Sequence, residues 1–198
     1  KDLFEGKTCL DVGCGGGRGS FLMLKYGAKK VVGVDQSERN TTSFKERLKN
    51  TDKESRFSAI NCDLEKLDLS EQFDFVWFSG VIQHTVKPSL VFKNVYKNLK
   101  KGGFTFFYAY GKDGIYWQLV DLARKILKNI SDEETLEILS SLSLENRYIA
   151  EYMDDWKVPY LRAYTDDEMR ESLQKCGIKT LIRLFWGENY DTCLRPKI

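Results

Sequence analysis

Thr8-Cys-Leu-Asp-Val-Gly-Cys-Gly-Gly-Gly-Arg-Gly-Ser20 is the stretch from which the rest of the chain can be read. Leu10 and Val12 are the apolar positions of a short strand, and the run then breaks into glycine. Glycine has no Cβ, so it can take positive φ and let another molecule approach the backbone closely. Beyond the glycines, Ser20 offers itself as the cap of a helix that continues Phe21-Leu-Met-Leu-Lys-Tyr and stops at Gly27. Strand, glycine turn and helix make the first half of a βαβ unit of the kind that holds nucleotides.

The second half follows in register. Val31-Val-Gly-Val-Asp35 reads as a buried strand ending in a carboxylate about twenty residues beyond the glycines, where an acid can accept hydrogen bonds from a ribose diol. Such a strand-end acid is expected to contribute little to the core. The glycine spacing separates two chemistries. A dinucleotide turn needs G-x-G-x-x-G, and from Gly13 its last glycine would fall on Arg18. What stands here is G-x-G-x-G at Gly13, Gly15 and Gly17, preceded by Asp11, an acid suited to a ligand that carries an amine.

Leu10-Asp-Val-Gly-Cys-Gly-Gly-Gly17 resembles the first motif of class I S-adenosylmethionine (SAM)-dependent methyltransferases. The resemblance implies that the loop around Asp11, Gly13, Cys14 and Gly15 packs against the methionine part of SAM. It also implies that Asp35, with Gln36 beside it, holds the ribose. Arg56 to Ile60 reads as a third strand running into Asn61-Cys-Asp63-Leu64. In the resembled family such an acid takes the adenine amine and the apolar residue after it covers a ring face, which assigns those roles to Asp63 and Leu64.

Phe73-Asp-Phe-Val-Trp-Phe78 is a near-continuous apolar run of the kind found at the centre of a parallel sheet. It leads into Ser79-Gly-Val-Ile-Gln-His84-Thr, and ligands bind outside the carboxyl ends of such strands. This segment resembles the fourth motif of the methyltransferase type 11 group. Ser79 is accordingly a cofactor-side residue, and His84, the chain's one histidine, is the candidate base. Ser37 is expected to cap a helix to about Lys49, and Pro88 to open one through Leu99. Lys100-Lys-Gly-Gly103 is expected to end that helix before a fifth strand, Phe104 to Tyr110.

An insert of about residues 112–164 departs from the minimal pattern. Ile115, Leu119, Leu122, Ala123, Ile126 and Ile130 make a helical stripe. A second helix starts at the box Ser131-Asp-Glu-Glu134, with Leu136, Leu139 and Leu142 on one face. An aromatic segment runs Tyr148 to Trp156. The reading is a lid over the acceptor, with Tyr148, Tyr152, Arg162 and Tyr164 as substrate-side residues, and a surface for a homodimer. A capped helix at Thr165-Asp-Asp-Glu168 ends at Gly177. Strands at Lys179–Trp186 and Tyr190–Leu194 then form a hairpin through Gly187.

The 198 residues suffice for one domain with a full core, and 42% hydrophobic with 30% charged residues is ordinary for a globular chain. A net charge of +2 gives no reason to expect DNA or a membrane. Five cysteines without C-x-x-C pairing read as reduced thiols of a cytoplasmic protein, with neither a disulfide frame nor a zinc site. No acidic cluster for a catalytic metal is evident. The sequence thus leads to an α/β, Rossmann-like, doubly wound domain over 1–198: a mostly parallel seven-stranded sheet, an antiparallel last strand and a helical insert after strand five. By resemblance the donor is SAM, with S-adenosylhomocysteine as product, and the acceptor is a small O- or N-nucleophile such as a sugar, acid, amine or quinone-type molecule. The alternatives are a non-catalytic SAM-binding subunit and an RNA or protein methyltransferase.

Overall fold

The structure is a computed structural model that describes residues 3–112, 115–179, 182–186 and 190–195. Five strands run parallel in the order β3-β2-β1-β4-β5. They are β1 (Thr8–Val12), β2 (Lys30–Asp35), β3 (Phe57–Asn61), β4 (Phe73–Ser79) and β5 (Leu99–Tyr108). On the β5 edge, β7 (Tyr190–Arg195) pairs antiparallel with β5, and β6 (Ile182–Trp186) pairs antiparallel with β7. The turn between β6 and β7, at residues 187–189, lies outside the described residues.

Period-two alternation divides the apolar side chains between two cores, because successive residues of a strand face opposite ways. Cys9, Val31 and Phe75 pack with Met23 and Leu24 of α1 (Arg18–Lys25) and with Phe44 and Leu48 of α2 (Glu38–Leu48). Leu10, Val12, Val32, Val34, Val76 and Phe78 pack on the other face with Val91 and Val95 of α3 (Pro88–Tyr96) and Leu173 of α7 (Asp166–Lys175). A sheet covered on both faces explains why these strands read as almost unbroken apolar runs.

The register settles where ligands can bind. Val12 stands beside Val34 and Phe78, Val34 beside Ile60, and Phe78 beside Phe107. The loops after β1, β2, β3, β4 and β5 therefore gather at one edge of the sheet. At the opposite edge Asp74 ties the starts of three strands together. It accepts from the Thr8 amide (2.9 Å) and hydroxyl (2.8 Å) and from Lys100 Nζ (2.8 Å). Burial pushes its carboxyl up, but these donors outweigh burial and hold it at about 2.

Two sequence expectations change here. Ser20 does not cap α1; the helix starts at Arg18 behind Gly17, whose φ of +81° is left-handed, and Ser20 sits fully buried in the first turn. The glycines themselves reverse the chain, so no capping side chain is needed. Lys100 to Gly103 do not form a turn after α3; they are the opening residues of β5, and α3 ends at Tyr96. A register shift between Phe73 and Phe75 accommodates the glycines within the strand pair. The capping boxes at Ser131–Glu134 and Thr165–Glu168 are both formed, and Ser37 caps α2 by accepting from the Asn40 amide.

Between β5 and α7 the insert folds as α4 (Ile115–Ile126), α5 (Asp132–Ser141) and α6 (Asn146–Lys157), with α6 packed against both others. It joins the core through a bridge between Gly111 and Tyr164 and a stack of Tyr110 on Trp117 with centroids 4.4 Å apart. The expected stripe on α4 is split: Trp117 and Val120 are buried, whereas Ile115, Leu119, Leu122 and Ile126 face solvent. On α5, Leu139 is buried and Leu136 and Leu142 are exposed. The same 3.6-residue period marks any apolar face, whether or not the fold covers it. Among the described residues, no helix is long and apolar enough to cross a membrane.

Candidate active site

The glycine turn is built for close approach. Gly13, Gly15 and Gly17 all have positive φ, at 65°, 48° and 81°. They are irreplaceable for different reasons. A Cβ on Gly13 would overlap the Val81 side chain, and one on Gly17 would overlap the Phe44 ring. A Cβ on Gly15 would meet nothing within 4 Å, so its α-carbon faces open space at the ligand-binding edge. Cys14 closes the turn by donating its amide to the Val34 carbonyl (3.0 Å), and burial pushes its thiol up to about 12, which leaves it inert as a nucleophile.

Asp35 locks this turn to the end of β2. Its Oδ2 accepts from the Gly15 amide (2.8 Å), and its Oδ1 accepts from the Ser37 amide (2.8 Å). At 9% exposure it is a buried tie between two loops, contrary to the expectation that it contributes little to the fold. Oδ1 also accepts from Asn40 Nδ2 (3.5 Å), and Oδ2 keeps a second lone pair for a hydroxyl of a ligand. Gln36 is exposed beside it.

Asp11 lies deeper than a ligand acid would. It is 2% exposed and accepts from the Ser20 hydroxyl at 2.6 Å, which fixes the first helical turn to β1. Burial raises its carboxyl to about 6, partly offset by the Ser20 hydrogen bond and reinforced by the charge of Asp35. At the end of β3, Asp63 is exposed and spends one oxygen on the Glu65 amide (2.9 Å), leaving the other open. Leu64 is 7% exposed and packs into the larger core, so its side chain supports this loop from beneath. Ser79 is half-buried where β4 ends.

The loop after β4 joins this half of the site to the insert. Val81 rests on Gly13, and His84 two residues beyond Ile82 ends a short 3-10 turn. His84 Nδ1 is 3.2 Å from the Tyr160 carbonyl, and its Nε2 is 3.6 Å from Asp154 Oδ2. A carbonyl can only accept, so the proton of the neutral ring is assigned to Nδ1 and the lone pair to Nε2. Nε2 itself is buried and without a hydrogen-bond partner. The ring also meets the edge of Tyr110, with centroids 5.9 Å apart.

Behind His84 lies a polar cluster that the sequence did not single out. Tyr116 donates to Asp155 Oδ2 at 2.5 Å, and Arg124 donates to the backbone carbonyls of Asp155 (2.9 Å) and Val158 (2.8 Å). Burial raises the Asp155 carboxyl, with the adjacent Asp154 charge adding and Tyr116 and His84 subtracting. Gln83 is fully buried. An Asp-Asp pair inside an aromatic helix was the one available signal, since nothing local ties residues 154 and 155 to His84.

The expected substrate residues divide. Arg162 and Tyr164 reach the site: the Arg162 amide donates to the Gln83 carbonyl (2.9 Å), and the Tyr164 hydroxyl to the Ile82 carbonyl (3.4 Å). Tyr148 instead lies under the Arg147 guanidinium at 4.4 Å on an exposed surface, and Tyr152 stacks on Trp156. The groups that meet His84 come from further along the insert, at Asp154 and Tyr160. A groove of about 600 Å³ opens beside the glycine turn, lined by Gly16 and Gly17 together with Arg18, Phe21, Phe44, Arg47 and Lys53.

A parallel sheet with this order, a left-handed glycine turn after β1, an acid ending β2 and another two residues past β3 are the framework of class I SAM-dependent methyltransferases. The residues fit the donor they would hold: the open space over Gly15 admits a ligand against the backbone, and Asp35 retains acceptor capacity for its hydroxyls. Residues 10–107 match the family model described as "Methyltransferase domain".

Over 99 residues the chain is 34% identical to a tRNA U34 carboxymethyltransferase of Haemophilus influenzae (strain PittEE), covering 50% of this chain and 31% of that one. Over 102 residues it is 33% identical to a ubiquinone biosynthesis O-methyltransferase of Pseudomonas entomophila, covering 52% and 44%. The chain thus spans less than half the length of these curated relatives. In fold it is similar to an S-adenosylmethionine-dependent methyltransferase from Mesorhizobium loti, with a TM-score of 0.67 and 16% identity over 98% of this chain and 92% of that one.

Proposed function

We propose that the chain, as one domain with residues 112–164 as its lid, transfers the methyl group of SAM to an O- or N-nucleophile of a small molecule. His84 serves as the base. The observation that carries the reading is the position of its imidazole. It sits on the β4 loop whose Val81 packs on the glycine turn, and it is held from the other side by the Tyr160 carbonyl and Asp154 of the insert.

The sulfonium of bound SAM supplies a methyl that is already electrophilic, so the protein's work is alignment and proton removal. Gly13, Cys14, Gly15, Asp35, Gln36, Asp63 and Ser79 bind the donor, with Asp11 and Leu64 bracing the loops that carry them. With the insert drawn back far enough to uncover His84 Nε2, the acceptor's O–H or N–H gives its proton to that nitrogen as the bond to the methyl forms and the bond from carbon to sulfur breaks. The Tyr160 carbonyl keeps the other ring proton on Nδ1, and the Asp154 carboxylate holds the charge gained at Nε2. Imidazole suits the task because it changes charge near neutral pH.

Arg162 and Tyr164 shape the acceptor side, and Tyr148 and Tyr152 stiffen the lid around it. A ring closed in by the insert favours a small acceptor over a long polymer. The quinone-pathway relative supports that choice, and the tRNA-modifying relative makes RNA the rival. The insert also carries a surface through which two copies would associate.

The test is methyl transfer from labelled SAM to a panel of phenols, small acids, amines and sugars, with a tRNA pool alongside. His84→Ala should lower turnover by about 10²–10⁴-fold while S-adenosylhomocysteine still binds. Normal turnover in that variant would remove His84 from the chemistry, and labelling of tRNA alone would overturn the small-molecule reading.

A further inference from the structure

Gln83, the residue before the candidate base, is fully buried, yet its side chain is left without a bond. Neither the amide nitrogen nor the amide oxygen has a hydrogen-bond partner among the described residues. With His84 Nε2, three unpartnered buried atoms fall on two consecutive residues of one short turn. Burying a polar group without a partner works against folding, so native proteins keep few such groups. A donor and an acceptor left open together beside a base are fitted to a ligand.

The place of the amide is that of an acceptor. A Cβ on Gly80 would stand 3.7 Å from Gln83 Nε2, so the amide lies over the first residue past β4, beside Ser79 and the donor edge. Tyr110 is another neighbour. Burial pushes the Tyr110 phenol up and the Gln83 amide partly offsets this, but no hydrogen bond joins the two. The segment that covers His84 also covers Gln83. The Tyr160 carbonyl meets His84 Nδ1 (3.2 Å), the Arg162 amide donates to the Gln83 carbonyl (2.9 Å), and the Tyr164 hydroxyl donates to the Ile82 carbonyl (3.4 Å). One withdrawal of residues 160–164 would therefore uncover the imidazole and the amide together.

The two open atoms belong to one planar amide, a donor beside an acceptor, and they call for a partner with the same pair reversed. An N–H next to a C=O supplies it. An ionised carboxylate offers acceptors alone and an ammonium donors alone, and a single hydroxyl cannot lie in line with both atoms. We infer that Gln83 reads the acceptor: a carboxamide or lactam carried near the nucleophile pairs with its side chain, Nε2 donating to the ligand carbonyl and the ligand N–H donating to Oε1. The inference rests on the methyl-transfer reading for the identity of the ligand, and it narrows the small-molecule acceptor to one with an amide group. A site built to hydrogen-bond such a group rejects an analogue lacking it, because its own buried polar atoms are then left unpaired.

The experiment is calorimetric titration of the chain saturated with S-adenosylhomocysteine. The probes are ortho-, meta- and para-hydroxybenzamide, each beside its N,N-dimethyl amide, which keeps the carbonyl and loses both N–H donors. At least one carboxamide should bind about 10- to 100-fold tighter than its dimethyl partner. Gln83→Met, which keeps the length of the side chain and removes its polar atoms, should abolish that preference. In urea unfolding of the unliganded chain, Gln83→Met should have a midpoint at or above that of wild type, since no bond is lost. Gln83→Glu, which keeps the acceptors and loses the donor, should also lose the preference. Equal binding of each pair, or binding of none, overturns the inference. A midpoint below wild type in Gln83→Met also overturns it, because the amide would then be satisfied within the chain. Turnover with labelled SAM is read separately: carboxamide binding that needs Gln83 but brings no methyl transfer refutes the methyl-transfer reading and leaves the amide-reading role standing.

Discussion

Replacing Asp35 by alanine tests the fold and the cofactor reading with one substitution. In the folded protein the carboxylate accepts two backbone hydrogen bonds at 2.8 Å, from Gly15 and from Ser37, at a position only 9% exposed. Hydrogen bonds to a charged group are worth about 1.5–3 kcal/mol net. The site lies at the ligand-binding edge, where water can enter and partly replace the lost acceptor, so the low end applies and the two together come to about 3 kcal/mol. For a chain of this length that lowers the melting temperature by about 6–12 °C. If the same oxygens also accept the ribose hydroxyls of SAM, affinity falls separately, by about 2–3 kcal/mol or roughly 30- to 150-fold. Calorimetric titration with S-adenosylhomocysteine, run well below the melting point of the variant, reads the second effect without the first. Asp35→Asn, which keeps one acceptor oxygen, should fall between alanine and wild type in both. An unchanged dissociation constant in folded Asp35→Ala would refute the ribose role. An unchanged melting temperature would refute the tie between the glycine turn and β2.

Two further outcomes follow from the same loops. Asp11 titrates at about 6 in the folded protein against 3.8 for an unperturbed side chain, because burial disfavours its charge. A raised carboxyl favours the folded state most below pH ~4, and that contribution is lost as the pH rises through about 6. The shift corresponds to about 3 kcal/mol. Denaturant titrations at several pH values should therefore show Asp11→Asn gaining on wild type between pH 4 and 7, and a pH-independent difference would contradict this. Among the glycines, Gly17→Ala combines a left-handed backbone with overlap on Phe44 and should cost about 2–5 kcal/mol in urea unfolding. Gly15→Ala meets no neighbour and should cost only about 1–2 kcal/mol, yet weaken S-adenosylhomocysteine binding because its methyl fills the space left for the ligand. Equal stability losses at the two positions would contradict the assignment of the open side.

Much of the site was legible in short stretches of sequence. The β1 strand, the glycine turn and Asp35 lie within 28 residues, and their order carries the class of cofactor. The capping boxes at Ser131 and Thr165 were legible because a cap needs only residues three apart. The apolar runs of β2 and β4 were legible because a sheet covered on both faces leaves no polar face to interrupt them.

Choices between partners that look alike in sequence were made by packing. Ser20 has the composition of a helix cap, but the left-handed Gly17 begins the helix earlier and leaves Ser20 to hold Asp11. The apolar residues of α4 share one periodicity, and packing against Tyr110 alone decides that Trp117 is covered and Leu119 is not. His84 was recognisable by its place after β4, yet the groups that hold its ring, a carbonyl 76 residues away and a carboxylate on another helix, were not. Such pairings arise when the chain closes on itself, and no local spacing records them, because a side chain's partners are set by the packing of whole elements and not by its neighbours along the chain.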